Sequence, residues 1–397
     1  MCPVFRCGCL LPLDDRRPGS AGQNRKVVSK NDLLGLVVPQ LMFFSGSDEL
    51  PLFFVLRRSP FGIKTSSMKL SDLKYDFPEE LIAVEPQRPS RVMWVENSKP
   101  IECSISDLIE KIPAGDVFVI NNTKVLKRRV FTDDELEILF LDQLDNGNWK
   151  VLFPSKKFKI GEVINLPKNF KMTLLEKGRP QIVKVEPPIS DEDFARIAEL
   201  PLPPYIQKAR AHRHNVSADE SWYQTAWAEK PGSMAAPTAS LHFSNQDLAR
   251  LKDKSVHVVE LTLHVGLGTF LPVTAEDLND HQMHSEKYEI TSENWSLIKK
   301  AKQEGKKVWA LGTTSTRVLE SVARTEKLFG ETDLLLQAGS EFKIVDRLLT
   351  NFHQPESTLL ALVAGFAGLE NVKECYKWAI AEKFKLFSYG DLSVWIK

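Results

Sequence analysis

The chain has 397 residues, enough for two or three domains at the usual ~150 residues each. Hydrophobic residues make up 43% and charged residues 26%, which excludes a disordered chain, a collagen-like fibre and a small disulfide scaffold. Lys+Arg and Asp+Glu are both 52, so a strongly basic nucleic-acid binder is excluded in bulk and any polyanion must be held by local patches.

Residues 1–67 stand apart. They carry nine Lys/Arg against five Asp/Glu, whereas the rest of the chain carries 43 against 47. They also hold Cys2, Cys7 and Cys9, without a fourth ligand at zinc-like spacing. They show neither a helical nor a strand period. The reading is an N-terminal extension, disordered or not part of the native protein, that carries no chemistry. Arg6, Asp14 and Asp15 spoil a secretory signal. No run reaches the ~18 apolar residues of a membrane span, and Leu33–Phe44 is broken by Pro39 and Gln40. Cys103 and Cys375 are isolated, which suits a reduced, cytoplasmic protein.

From Met68 the text is globular. Pro78, Glu79 and Glu80 suit the start of a short helix. Val92–Val95 and Val117–Ile120 read as buried strands. Between about Lys127 and Pro204 come short apolar runs at 136–141, 149–153, 163–166, 172–175 and 182–185, separated by turn signals such as Gly178-Arg179-Pro180. Regular short strands with turns predict an antiparallel β-barrel or sandwich. Afterwards helix and strand alternate: helix 245–254 capped by Ser244, strand 256–263, helix 293–305, strand 307–311, helix 314–324 and helix 370–383. The expected fold is therefore a layered α/β body (68–126 and 205–397) with an inserted antiparallel β-barrel domain (127–204).

All eight histidines lie at or after residue 212. His242, His264, His281, His284 and His353 sit among Gly, Ser and Thr, near strand ends, where open α/β sheets bind ligands. Gly266 and Gly268 follow His264 and allow close backbone approach. The Gly-Leu-Gly here has no third glycine and no following helix, so it is no dinucleotide fingerprint. Gly312-Thr313-Thr314-Ser315-Thr316-Arg317 links a strand to a helix. It reads either as an anion-binding helix N-terminus, with Arg317 as a clamp, or as plain capping. His281 and His284 are three apart, beside Asp280 and Glu286. With His264 or His353 they could form a zinc site; the other readings are metal-free acid–base work and structural hydrogen bonding. Three basic clusters, Lys124/Lys127/Arg128/Arg129, Lys156/Lys157/Lys159 and Lys208/Arg210/His212/Arg213/His214, rim the insert. They read as solvated faces or as an RNA-backbone platform.

Residues 68–397 closely resemble the S-adenosylmethionine:tRNA ribosyltransferase-isomerases of queuosine biosynthesis. The resemblance rests on MKLSDLKYDFPEELIAVEP (68–86), FVINNTKV (118–125), LPLPPYI (200–206), WYQTAWAEKPGSMAAPTASLHF (222–243), LTLHVGLGTFLPV (261–273), HQMHSE (281–286), GTTSTRVLES (312–321), LLTNFHQPESTLL (348–360) and FKLFSYGDLSVWI (384–396). Departures are Lys124 for the usual Arg, Lys127-Arg128-Arg129 for a Pro-Ala-Arg run, Asp133-Asp134-Glu135 for a glycine pair, Ser240 for Gly and Gln354 for Leu. The Lys124 change weakens bidentate phosphate binding at that position.

The resemblance implies transfer and isomerisation of the ribosyl moiety of S-adenosylmethionine onto 7-aminomethyl-7-deazaguanine at the tRNA wobble position. Epoxyqueuosine-tRNA forms, and adenine and methionine are released. It also implies an α/β domain with an inserted β-barrel. With it, the five histidines above are the catalytic candidates. The substrate-binding candidates are Asn121, Asn122, Glu229, Gly266, Gly268, Thr269, Glu286, Thr313, Thr314, Ser315, Arg317, Asn351 and Glu356. The tRNA-binding candidates are Lys124, Lys127, Arg128, Arg129, Lys208 and Arg210. No metal and no cofactor beyond the cosubstrate S-adenosylmethionine is expected, nor a membrane partner, and the protein is expected to be a monomer. The alternatives from other classes are a non-catalytic RNA-binding or chaperone protein on this fold and a zinc hydrolase using His281 and His284.

Overall fold

The computed structural model describes residues 68–266, 268 and 273–397. The extension expected at 1–67 and the candidate Thr269 lie outside the described residues.

The strands, in chain order, are β1 (Arg91–Glu96), β2 (Lys99–Ser104), β3 (Val117–Asn121), β4 (Thr123–Val125), β5 (Arg129–Phe131), β6 (Glu137–Gln143), β7 (Trp149–Leu152), β8 (Val163–Asn165) and β9 (Lys171–Glu176). They continue with β10 (Gln181–Glu186), β11 (Ala198–Glu199), β12 (Lys230–Ser233), β13 (His257–Leu263), β14 (Glu286–Glu289), β15 (Val308–Leu311), β16 (Phe329–Thr332), β17 (Arg347–Asn351) and β18 (Leu392–Ile396). Nine of them form one mixed sheet in the order β16-β14-β13-β3-β15-β17-β18-β1-β2. Its centre, β13-β3-β15-β17, is wholly parallel.

This sheet is buried on both faces, as parallel strands require. Alternate residues of β3 show it: Val117 and Val119 join one core, Phe118 and Ile120 the other. The first core contains Ile298, Val318, Leu319, Val322 and residues 360–366, from the helices Ser292–Gln303, Gly312–Thr325 and Thr358–Ala367. The second contains Leu108 and Ile109 from Ile105–Lys111, and Leu248 and Leu251 from Asn245–Asp253. The body is thus a layered α/β structure. Ser244 caps its helix as expected, accepting from Asp247 N while Asp247 accepts from Ser244 N.

Strands β5 to β11 form a separate antiparallel sheet in the order β11-β5-β6-β7-β10-β9-β8. The expected closed barrel is corrected here to a half-barrel. Its edge strands β8 and β11 do not pair with each other. The helix Asp191–Ile197 packs on the curled sheet, where Phe194 meets Phe140 and Trp149 edge-on. A helix that fills the core removes the need for the two edges to meet.

The expected short helix after Pro78 is a single 3-10 turn, Glu79–Leu81. The helix expected from Thr314 begins earlier, at Gly312, whose φ of +92° suits glycine at the strand-to-helix corner.

One buried acid ties the body together. Glu320 is fully buried on the helix Gly312–Thr325 and accepts from the amides of Lys343 (2.9 Å), Ile344 (2.9 Å) and Val345 (3.0 Å). It also pairs with Arg324 at 2.5 Å. Truncation orphans three amides and strips the Arg324 guanidinium of its counter-ion. Glu320→Ala should therefore lower unfolding free energy by about 3–5 kcal/mol in urea titration. A loss below ~1 kcal/mol would mean that the three amides are satisfied without it.

Candidate active site

Because β13, β3, β15 and β17 are parallel neighbours, their carboxyl ends lie side by side. Candidates from four distant parts of the sequence follow those ends directly: Asn122 after β3, His264 after β13, Gly312 and Thr313 after β15, and His353 shortly after β17. This edge is where open α/β sheets bind ligands.

Two asparagines fix the first two strand ends. Asn121 donates to Leu263 O (3.0 Å) and accepts from Leu263 N and Thr123 N, both at 3.1 Å. Asn122 accepts from Thr262 Oγ1 (2.7 Å), and its carbonyl accepts from the amide of the exposed Glu229 (2.9 Å). The His264 ring is thereby placed with Nδ1 at 2.8 Å from Thr123 Oγ1. On its other side stands Gly232, φ +151°, where a Cβ would come within 2.8 Å of the ring. Burial, then Lys287 and Lys230, push the His264 pKa below the ordinary histidine value.

The next segment is held by a buried ion pair. Glu286 accepts from Gly266 N (3.0 Å) with one oxygen and from Arg317 with the other. Arg317 also donates to Leu334 O and Thr332 O, both at 3.2 Å. Its guanidinium is therefore engaged inside the protein. Gly268 lies against His284, with room for no larger residue unless the imidazole gives way. His281 and His284 line a cavity of about 440 Å³ with Thr274, Ala275, Asp280, Gln282 and Arg179 of the half-barrel. The pair is not on a helix. His281 closes the 3-10 turn Leu278–Asp280, and His284 stands on extended chain before β14. Burial and the neighbouring His284 lower the His281 pKa.

His242 and His353 occupy a different environment at the β17 end. His242 Nε2 accepts from Asn351 Nδ2 (3.1 Å), so Nδ1 donates to Ser90 Oγ (2.8 Å). His353 Nε2 meets Thr350 Oγ1 at 2.8 Å, and its backbone is held by Tyr75 and Tyr376. Burial pushes both imidazoles down to about 3. Both are neutral at pH 7.

Ser315 Oγ and Thr316 Oγ1 turn back to Leu311 O and Gly312 O. Three other polar atoms along this edge have no partner: Thr314 Oγ1, Ser240 Oγ and Asn351 Oδ1. Ser240 sits on the 3-10 turn Thr238–His242, which abuts Gly312 through Ala239. Orphaned buried acceptors beside the amides of a helix N-terminus suit a polar ligand. Glu356 lies apart, in a turn pairing with Lys74 at 3.6 Å. Among the described residues no group of three or more His, Cys, Asp or Glu is arranged to hold a metal ion.

The basic candidates divide sharply. Arg128 is buried, pairs with Asp191 (2.5 Å) and stacks 4.3 Å from the Phe194 ring centre. Arg129 is buried and pairs with Glu137 (3.0 Å), and Arg210 forks onto Asp219 (2.6 and 2.8 Å). Lys127 pairs with Glu220, and Lys208 with Glu79 at 3.3 Å. Lys124 is exposed and forms no ion pair among the described residues.

Thr123, Gly232 and Ser240 were not singled out by sequence reasoning as site residues, although each lies inside a matched stretch. Arg179 stood out only as part of a turn signal.

The fold and this edge define a member of an α/β enzyme class. Residues 70–395 match the family described as "Queuosine biosynthesis protein". The chain is 40% identical over 336 residues to an S-adenosylmethionine:tRNA ribosyltransferase-isomerase of Sulfurihydrogenibium sp., covering 82% of this chain and 98% of that protein. It is 40% identical over 346 residues to the enzyme of that name from Parvibaculum lavamentivorans, with the same coverage. A crystal structure of the S-adenosylmethionine tRNA ribosyltransferase of Thermotoga maritima is 30% identical, covers 81% of this chain and 99% of that one, and superposes with a TM-score of 0.47. The chain belongs to the queuosine biosynthesis family of S-adenosylmethionine:tRNA ribosyltransferase-isomerases. No helix among the described residues is long and apolar enough to cross a membrane.

The two neutral histidines make stability pH-dependent. Their folded pKa values, about 3, lie below the 6.5 of an unperturbed imidazole. Below that value the unfolded chain binds protons that the folded chain refuses. Stability should fall on acidification by up to ~1.4 kcal/mol per pH unit for each histidine. Urea denaturation at pH 7 and 5 measures this. His353→Gln should reduce the steepness, and an unchanged steepness would contradict the assignment.

Proposed function

We propose that this chain transfers and isomerises the ribosyl moiety of S-adenosylmethionine onto 7-aminomethyl-7-deazaguanine at the tRNA wobble position. Epoxyqueuosine-tRNA forms, with release of adenine and methionine. The reading is supported by membership of this family, in a chain where His264 and the Gly312 helix N-terminus follow the carboxyl ends of parallel strands of one sheet and His284 lies against Gly268 of the loop after β13.

The chemistry fits these groups. A sulfonium acidifies its neighbouring C–H bonds, so a base must take a proton, and adenine departs more readily when protonated. His264 is held neutral by burial and by two lysines, and Thr123 occupies its Nδ1. In the tautomer that donates Nδ1–H to Thr123, Nε2 is the atom that takes the proton. His281, also biased to the neutral form, and His284 serve proton transfer in the adjoining cavity. The methionyl carboxylate goes to the amides that open the helix Gly312–Thr325, including that of Thr313, and to the Thr314 hydroxyl, while the Asn351 amide oxygen accepts from the methionyl ammonium. Glu286 and Arg317 hold the loop rather than the ligand. His242 and His353 act as neutral hydrogen-bonding struts, on Asn351 and Thr350 respectively. The reaction draws on no metal or cofactor beyond the cosubstrate. tRNA meets exposed cations such as Lys124, while Arg128, Arg129 and Arg210 shape the insert and its junction.

The test is release of adenine from S-adenosylmethionine in the presence of tRNA bearing the precursor base. Binding of tRNA without adenine release would leave only an RNA-binding protein. His264→Gln should lower turnover roughly 10²–10⁴-fold with little change in cosubstrate affinity. Because the base works neutral and its pKa is depressed, the acid limb of kcat/KM should lie below about 6.5. A limb above 7 would contradict His264 as the base.

A further inference from the structure

Two of the three clusters that first suggested an RNA platform are largely spent on internal pairs, as Arg128 with Asp191, Arg129 with Glu137 and Arg210 with Asp219 show, whereas Lys156, Lys157 and Lys159 are exposed and form no ion pair among the described residues. An RNA partner needs cations that are free. One such cation occupies a distinctive place. Arg179 stands on the turn between β9 and β10 and is the half-barrel's contribution to the wall of the His281/His284 cavity. It is exposed, and no hydrogen bond, ion pair or ring contact holds it among the described residues. Lys177, two residues earlier, is exposed and likewise without an ion pair among the described residues.

We infer that Arg179 binds a backbone phosphate of the RNA substrate across the mouth of the His281/His284 cavity, so that the half-barrel completes the active site of the body. The inference rests on the proposed function for the identity of the RNA.

Three features support it. The cavity, about 440 Å³, exceeds what one side chain would fill, and it is lined by a turn of the half-barrel and by the segment between β13 and β14 of the body. Its polar lining is asymmetric: a guanidinium on the half-barrel side faces two imidazoles and Asp280 on the body side. A guanidinium presents a planar fork that matches a phosphodiester and keeps its charge at any working pH. A phosphate bound there sits beside His281 and His284, so backbone binding and placement of the adjacent nucleoside become one event. Asp280 opposes an anion in the cavity. That directs the phosphate to the outer, Arg179 side and leaves the imidazole side for uncharged ribose or base.

The experiment compares wild type, Arg179→Gln and Arg179→Lys. It measures tRNA affinity against salt, cosubstrate affinity without tRNA, and adenine release. One lost phosphate contact should flatten the log–log salt slope by ~0.7–0.9 and weaken tRNA binding by roughly 10- to 100-fold at low salt. Arg179→Lys should restore most of the slope but less of the affinity, since the fork is lost. Binding of S-adenosylmethionine alone should not change. An unchanged slope and unchanged tRNA affinity in Arg179→Gln would overturn the inference. So would equal effects of Arg179→Gln and Asp280→Asn on thermal stability with the salt slope untouched, since Arg179 would then serve an internal pair. The salt slope is readable whether or not adenine is released. A wild-type protein that binds tRNA through Arg179 yet releases no adenine would sink the proposed function and leave this contact standing.

Discussion

The parallel register of β13, β3, β15 and β17 is the constraint on which the site depends. Parallel neighbours end at the same side, so four loops from distant parts of the chain are delivered to one edge without any loop having to travel. Side-chain bonds then lock those ends. Asn121 stitches β3 to β13 through two hydrogen bonds to Leu263 and holds Thr123 N with a third. The Glu286–Arg317 pair joins the loop after β13 to the helix after β15. Removing either partner would leave a buried charge.

Burial sets the electrostatics of the edge. His264, His281, His242 and His353 are all displaced toward the neutral imidazole. The sulfonium cosubstrate is a cation, and a row of imidazolium ions would repel it. A neutral row accepts protons and hydrogen bonds without that penalty. The two kinds of histidine differ in access. His264 is only half-buried, whereas both ring nitrogens of His242 are taken by Ser90 and Asn351.

Much of this was legible in the sequence. Strand periodicity located β3, β6, β7, β9 and β10 within a residue or two, and the Ser244 cap marked its helix. The strands β2, β14, β16, β17 and β18 and the helices Ile105–Lys111 and Thr358–Ala367 were not read. β2 is mostly exposed and carries Pro100, so it lacks the apolar run of a buried strand. Thr358–Ala367 is apolar on nearly every side, so it shows no amphipathic period. Closure of the half-barrel was beyond reach, because edge pairing is a non-local property that strand spacing does not encode. Charge clusters misled most. Lys127-Arg128-Arg129 reads as a basic patch, but its partners Glu220, Asp191 and Glu137 are far along the chain or on another strand. Only the fold reveals that the charge is already neutralised.

The central claim is that the sheet edge moves a ribosyl group from sulfonium to RNA. The most direct measurement uses S-adenosylmethionine labelled in its ribose, incubated with the protein and precursor tRNA. The account predicts label in the tRNA in equal amount to the adenine set free, and no label in the RNA when the precursor base is absent. Adenine released without label entering the tRNA would mean simple cleavage of the cosubstrate, and would contradict the account.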